Sequence, residues 1–209
     1  MQGLDPAPTV VLLSSGGTVD DPQGRAPYDE QAPTRPLSAY GAAKLALESL
    51  LAERAPGRHV TLRVANAYGP GQPVGSGQGV IAHWLRAAWR GEPVRLFGDP
   101  ATTRDYVYVE DISDALVAVA ASTGPLPPVL NVGSGRPTTL QELAETVLDV
   151  VADAALELVV EPARSFDVPR TWLDVGLARG VLGWTPRTPL RHRIVLSWDA
   201  VRRLGDPVP

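Results

Sequence analysis

The sequence predicts an α/β chain with mainly parallel strands, and three observations carry that prediction. Short apolar, β-branched runs alternate with longer stretches of helical periodicity along the 209 residues. The first run, TVVLLSS from Thr9 to Ser15, has the unbroken apolar centre VVLL, as a buried parallel strand requires. The runs are separated by helix-length connections, which parallel strands need and tight hairpins do not supply.

Each element follows from its local chemistry. TVVLLSS is ended by Gly16 and Gly17, and Asp20 to Pro36 is a long loop rich in proline, glycine and charge. Ser38 caps the next helix, with Leu47, Leu50 and Leu51 expected on its buried side. His59 to about Ala65 is a second strand running into a loop, and Gly69 to Gly79 is a Gly/Pro-rich loop. A helix from Val80 is ended by Gly91, and its Trp84 and Trp89 read as packing residues. VRLFGD is a short strand, VYVEDISDALVAVAAS a strand and helix, and PVLNVGSG a strand and turn. The helix TTLQELAETVLDVVA begins with a capping box at Thr139 and Glu142. LELVVEP is a further strand, followed by short helices near Val175–Leu182 and Leu190–Leu204.

Composition narrows the function classes. Nineteen Lys and Arg face 23 Asp and Glu, for a net charge of -4 without a basic block, which argues against a nucleic-acid partner. The chain has no cysteine, which excludes disulfides, thiolate metal sites and cysteine nucleophiles. His59, His83 and His192 lack metal-ligand spacing, so no metal is expected. No stretch reaches the roughly 18 apolar residues of a membrane helix, and no signal peptide is evident. The expectation is a cytoplasmic protein without a membrane partner.

Tyr40 and Lys44 in "PLSAYGAAKLALESLLAE" are four residues apart, so both project from one side of a helix. A neighbouring ammonium favours the phenolate form of a tyrosine, and such a phenol serves as a general acid or base. The spacing alone is more commonly that of a half-buried tyrosine beside a snorkelling lysine. The ordered series SSGGTV, YGAAK, LRVANAYGP, RDYVYVEDISDA, NVGSG, PARSFDVPRTWLD and LGWTPRTPL is far more specific. It resembles the extended short-chain dehydrogenase/reductase family, in particular its NAD-dependent nucleotide-sugar epimerases and dehydratases, from about Val10 to Arg203.

That resemblance implies a fold, a cofactor and a site. The fold would be the rear part of a Rossmann-type parallel sheet with a smaller, interleaved mixed α/β substrate domain. Residues 1–75 would form a partial dinucleotide-binding region. Residues 76–209 would be mostly substrate-binding, with about 100–135 crossing back to the sheet. Tyr40 would be the catalytic acid/base, and Lys44 would bind the nicotinamide ribose and tune it. Ser14 would help bind NAD. Gly16 stands where the family usually supplies a hydroxyl, which Ser15 or Thr18 would replace; Asp20 and Asp21 stand where a tyrosine-glycine pair usually follows. Asn66, Arg104 and Arg164 would hold a nucleotide-diphosphate sugar, arginine suiting the role through its planar fork. An ion pair with Asp105 or Asp111 is the structural alternative for Arg104.

The family's glycine-rich strand–turn–helix for the NAD pyrophosphate has no counterpart in the chain. The resemblance therefore implies a truncated copy or one part of a split enzyme, with homodimerisation through the Tyr40 helix or association with a full-length relative. A non-catalytic nucleotide-sugar-binding or assembly protein is the alternative.

Overall fold

The computed structural model describes residues 9–55, 59–73, 79–152, 157–162, 168–187 and 189–204. The fold is α/β with parallel strand pairing, as predicted. Strands β1 (Val10–Ser15), β2 (His59–Val64) and, from later in the chain, β7 (Val129–Val132) form a parallel sheet in the order β1-β2-β7. The register places Leu62 beside both Leu13 and Leu130, and Arg63 beside both Ser14 and Asn131.

Because side chains alternate along a strand, this register sorts the sheet into two unlike faces. Val60, Leu62, Val64, Leu130 and Val132 form one. They pack with Ile112, Ala115 and Val119 of helix α3 (Val109–Ala121) and Ala178 of α5 (Gly176–Leu182). Ser14, Thr61, Arg63 and Asn131 form the other, and all four are buried. The interior polar face departs from the continuous hydrophobicity expected of a parallel sheet. Its Asn131 is tied down by three bonds: the side-chain amide donates to the Tyr28 and Asp174 carbonyls at 3.0 Å each, and the backbone N–H donates to Glu30.

Helix α1 (Ala39–Arg54) covers part of that polar face. Ser38 caps it as expected, its hydroxyl accepting from the Gly41 N–H at 3.0 Å. The expected buried side is overturned. Leu47 and Leu50 are 45% and 49% exposed and Leu51 is half-buried, whereas Gly41 and Glu48 are buried. The reason is the polar face beneath: a glutamate, not a leucine, meets Arg63.

A second core lies around β4 (Val94–Phe97), β6 (Tyr106–Tyr108), α2 (Val80–Trp89), α4 (Leu140–Val151) and α6 (Leu190–Leu204). Ile81, Trp84, Leu85, Val94, Leu96, Tyr106, Leu143 and Ile194 are among its members. Trp84 packs as expected and donates its indole N–H to the Arg95 carbonyl at 2.7 Å, but Trp89 is exposed. The capping box at Thr139 and Glu142 is present, and Gly91 takes the left-handed conformation that ends α2. Three short strands were not expected: β3 (Asn66–Tyr68) in an expected loop, β5 (Thr103–Arg104) in a stretch given no element, and β8 (Thr138–Thr139) where the next helix was expected to begin. β3 pairs parallel with β6, β5 antiparallel with β8, and β4 parallel with β9 (Leu158–Glu161). No helix among the described residues is long and apolar enough to cross a membrane.

Candidate active site

The carboxyl ends of β1 and β2, the start of α1 and the face of α2 enclose a cleft of about 1230 Å³. This exceeds the roughly 300–1,000 Å³ of a drug-sized pocket and has room for an extended ligand. Ser14, Ser15, Thr18, Tyr40, Lys44, Asn66 and Arg104 all line it. Every described residue singled out from the sequence thus meets in one place; Arg164 lies outside the described residues.

Tyr40 is 47% exposed, and the Lys44 ammonium stands 5.6 Å from its ring centroid. Lys44 Nζ donates to the Leu13 carbonyl at 2.9 Å. In the turn after β1, Gly16 N donates to Val64 O in β2, so by alternation the peptide groups of Leu13 point to the opposite edge. Lys44 therefore satisfies a carbonyl on the unpaired edge of the described sheet. Two other tyrosines, Tyr68 and Tyr106, line the same cleft, but burial pushes both phenols far above their ordinary range. Tyr40 is the accessible phenol of the three.

The turn after β1 is tightly built. Ser15 Oγ donates to Thr18 Oγ1 at 3.0 Å, which couples the two candidate hydroxyls. A side chain at Gly16 would put its Cβ 2.5 Å from Leu173 Cδ1, inside a buried leucine, so glycine is what this packing admits. Ser14 is buried and gives its hydroxyl to Glu48 Oε1 at 2.5 Å. The unusual acidic pair has structural partners. Asp20 is buried, accepts the Gly17 N–H at 2.7 Å and stands 3.8 Å from Arg63. Asp21 caps Gln23 and pairs with Arg35.

Asn66 donates through Nδ2 to the Asp105 carbonyl at 2.9 Å. The Asp105 carboxylate is wrapped by the N-V-G-S-G turn and accepts from the Ser134 N–H and hydroxyl, Gly135 N–H and Leu173 N–H. Gly133 is held to glycine there, since a Cβ would lie 2.5 Å from Asp105 Oδ2. Asp111 meets Arg193 at 3.5 Å and the Arg187 N–H at 3.2 Å. Arg104 donates through Nη1 to the carbonyls of Val168 at 2.6 Å and Thr103 at 2.9 Å, which anchors its guanidinium at the cleft.

Sequence reasoning missed much of the wall. Among the described residues Arg86, Arg90 and Arg95 also line the cleft, so with Lys44 and Arg104 five cations stand there against two carboxylates, Asp20 and Glu92, Arg95 being itself paired with Glu161. The four-residue spacing of Arg86 and Arg90 at α2 was a readable signal of a shared helix face. Such a balance raises the local concentration of an anionic ligand. No metal-binding cluster of His, Asp and Glu exists among the described residues.

The chain is similar to known proteins in sequence and in fold. The family model described as "NAD dependent epimerase/dehydratase family" matches residues 2–133. The chain is 36% identical over 204 residues to a UDP-glucose 4-epimerase of Mycolicibacterium smegmatis, covering 92% of this chain and 62% of that protein. It is 39% identical over 196 residues to a dTDP-6-deoxy-L-talose 4-dehydrogenase (NAD(P)(+)) of Kitasatospora kifunensis, covering 88% of this chain and 61% of that protein. The Thermotoga maritima UDP-glucose 4-epimerase solved with UDP-glucose superposes with a TM-score of 0.87 at 33% identity, covering 94% of this chain and 64% of that one. The Thermus thermophilus UDP-glucose 4-epimerase complex with NAD gives 0.83 at 31%, covering 93% and 64%. The chain spans about 60% of the length of these curated relatives.

Proposed function

The chain belongs to the NAD dependent epimerase/dehydratase family, and from that premise we propose that its cleft binds a nucleotide-diphosphate sugar with Tyr40 as acid/base at the sugar. The observation that carries this reading is the meeting of Tyr40, Lys44, Asn66 and Arg104 in one cation-lined cleft. A diphosphate is the anion such a wall suits, and a guanidinium already fixed by two carbonyls gives up little freedom on gripping it.

The residues present fit the nicotinamide-ribose end of NAD. A phenol, an ammonium and the coupled Ser15–Thr18 hydroxyls share one wall. They do not fit the pyrophosphate end, because no Gly-x-x-Gly-x-x-Gly turn occurs in the 209 residues. When bound, NAD supplies the hydride acceptor for oxidation of a sugar carbon. Tyr40 takes the proton of the sugar hydroxyl at its phenolic oxygen and later returns it. Lys44, whose ammonium donates to Leu13 O beside the phenol, is the residue that would hold the nicotinamide ribose. Asn66 and Arg104 fix the diphosphate and with it the position of the sugar. The three-stranded sheet would form the cofactor side and the second core the substrate side. The protein would act in the cytoplasm, and the exposed Leu47 and Leu50 face of α1 would pair two copies.

Turnover of a nucleotide-diphosphate sugar with NAD supplied in large excess, to offset the weak binding expected without the glycine-rich turn, followed by product analysis, tests this proposal. Tyr40→Phe should abolish turnover, a loss of at least about 10²-fold for a missing acid/base, and leave ligand affinity unchanged. Ligand binding without turnover, indifferent to Tyr40→Phe, would instead establish the binding-protein alternative.

A further inference from the structure

Tyr40, Lys44 and Glu48 recur every four residues along α1 and stay within about 80° of one another around the helix axis. The first two reach the cleft; the third is buried beneath the helix. Glu48 accepts from Arg63 Nη2 at 2.9 Å, from Arg63 Nε at 3.3 Å, and from the Ser14 hydroxyl. Arg63 in turn stands 3.8 Å from Asp20. One buried network therefore joins α1, β1, β2 and the turn carrying Thr18.

Few other contacts bear on the rotation of this helix: Lys44 reaches the Leu13 carbonyl, and Leu45 and Leu51 are only half-buried. Gly41 and Glu48 are its buried residues, while Leu47 and Leu50 face outward. Gly41 lets the helix start approach the turn closely, since a Cβ there would lie 2.5 Å from Thr18 O. That approach fixes distance at one end. A directional ion pair fixes angle at the other. Buried ion pairs as a class add little net stability, because desolvation offsets their attraction, yet they are strict about geometry.

We propose that the Glu48–Arg63 pair is a positioning device that sets the axial rotation of α1 and so holds Tyr40 and Lys44 at the cleft. Its catalytic consequence rests on the function proposed above; the positioning itself does not.

The test replaces both charges with apolar groups of similar length, Glu48→Met with Arg63→Met, in the full chain. Nuclear Overhauser effects from the Lys44 side chain to Leu13 and from the Gly41 α-protons to the Thr18 methyl group, both between α1 and another segment, report the rotation without any ligand. The expected result is a retained fold with both Overhauser effects abolished, and a Tm equal to or above that of the parent once Asp20→Asn also removes the buried carboxyl that Arg63 partnered. Their persistence would overturn the proposal. Unfolding of the double variant would overturn it equally, by making the pair a stability element. The single variant Glu48→Gln, which keeps an acceptor for Ser14 but lacks the charge, should retain the fold and weaken the same two effects. A parallel titration of the parent with UDP-glucose tests the functional reading separately: failure there leaves the positioning result intact.

Discussion

Tyr40 and Lys44 were readable because their spacing and neighbours form a pattern, and patterns survive in one dimension. Glu48 was not. A glutamate on a helix otherwise reads as solvent-facing, and only the polar strand face beneath explains its burial. Arg63 carried a warning, a charge in the middle of the alternating run HVTLRV, which marks a strand with one polar side. Asp20 is the third member of that network and has a measurable signature. Burial raises its carboxyl above the usual value of about 3.9, against the opposing pull of the Gly17 N–H and Arg63. The folded chain is thus the better proton acceptor. The stability contributed by Asp20 is full below about pH 3.9 and is lost as pH rises through the higher folded-state value. Asp20→Asn should therefore match the parent in acid and exceed it at neutral pH, by about 2–4 °C in Tm for each kcal/mol at this chain length. Melting curves from pH 4 to 7 that keep a constant difference would refute this source.

Helices and the longer strands were readable from periodicity and caps; what sits beneath them was not. Capping of α1 and α4 came directly from Ser38 and the Thr139–Glu142 box. The buried side of α1 did not, because leucines on a helix imply a core contact only if an apolar surface lies opposite. Strands of two or three residues such as β3, β5 and β8 escape for a different reason: so short a run has no period. The outward leucines have a consequence at this level. Contiguous apolar area on a helix marks an interface more often than a solvent face. If two copies meet there, Leu47→Glu with Leu50→Glu should convert a dimer to a monomer by light scattering and leave Tm within a few degrees of the parent. A parent that is already monomeric would remove α1 as the interface.

At the level of the whole chain, alternating runs and helices predicted the α/β class, and the family comparison fits it. The cleft itself could not be read from the sequence. Its wall draws on residues from Leu13 to Thr171, and only folding places the α2 arginines beside Arg104. The same assembly explains an asymmetry in expected affinities. NAD should bind this chain weakly or not at all, since the glycine-rich turn that grips its pyrophosphate does not occur in the sequence. Calorimetry giving tight, stoichiometric NAD binding would contradict that. The proposed nucleotide-diphosphate sugar would meet the cationic wall instead. The most direct measurement is a calorimetric titration of UDP-glucose and dTDP-glucose into the parent and into Arg104→Ala. The account predicts saturable binding of at least one of them by the parent, weakened about tenfold or more when the guanidinium is removed, as the loss of a charge-assisted hydrogen bond of about 1.5–3 kcal/mol requires. Binding of neither ligand, or equal affinity in parent and variant, would contradict it.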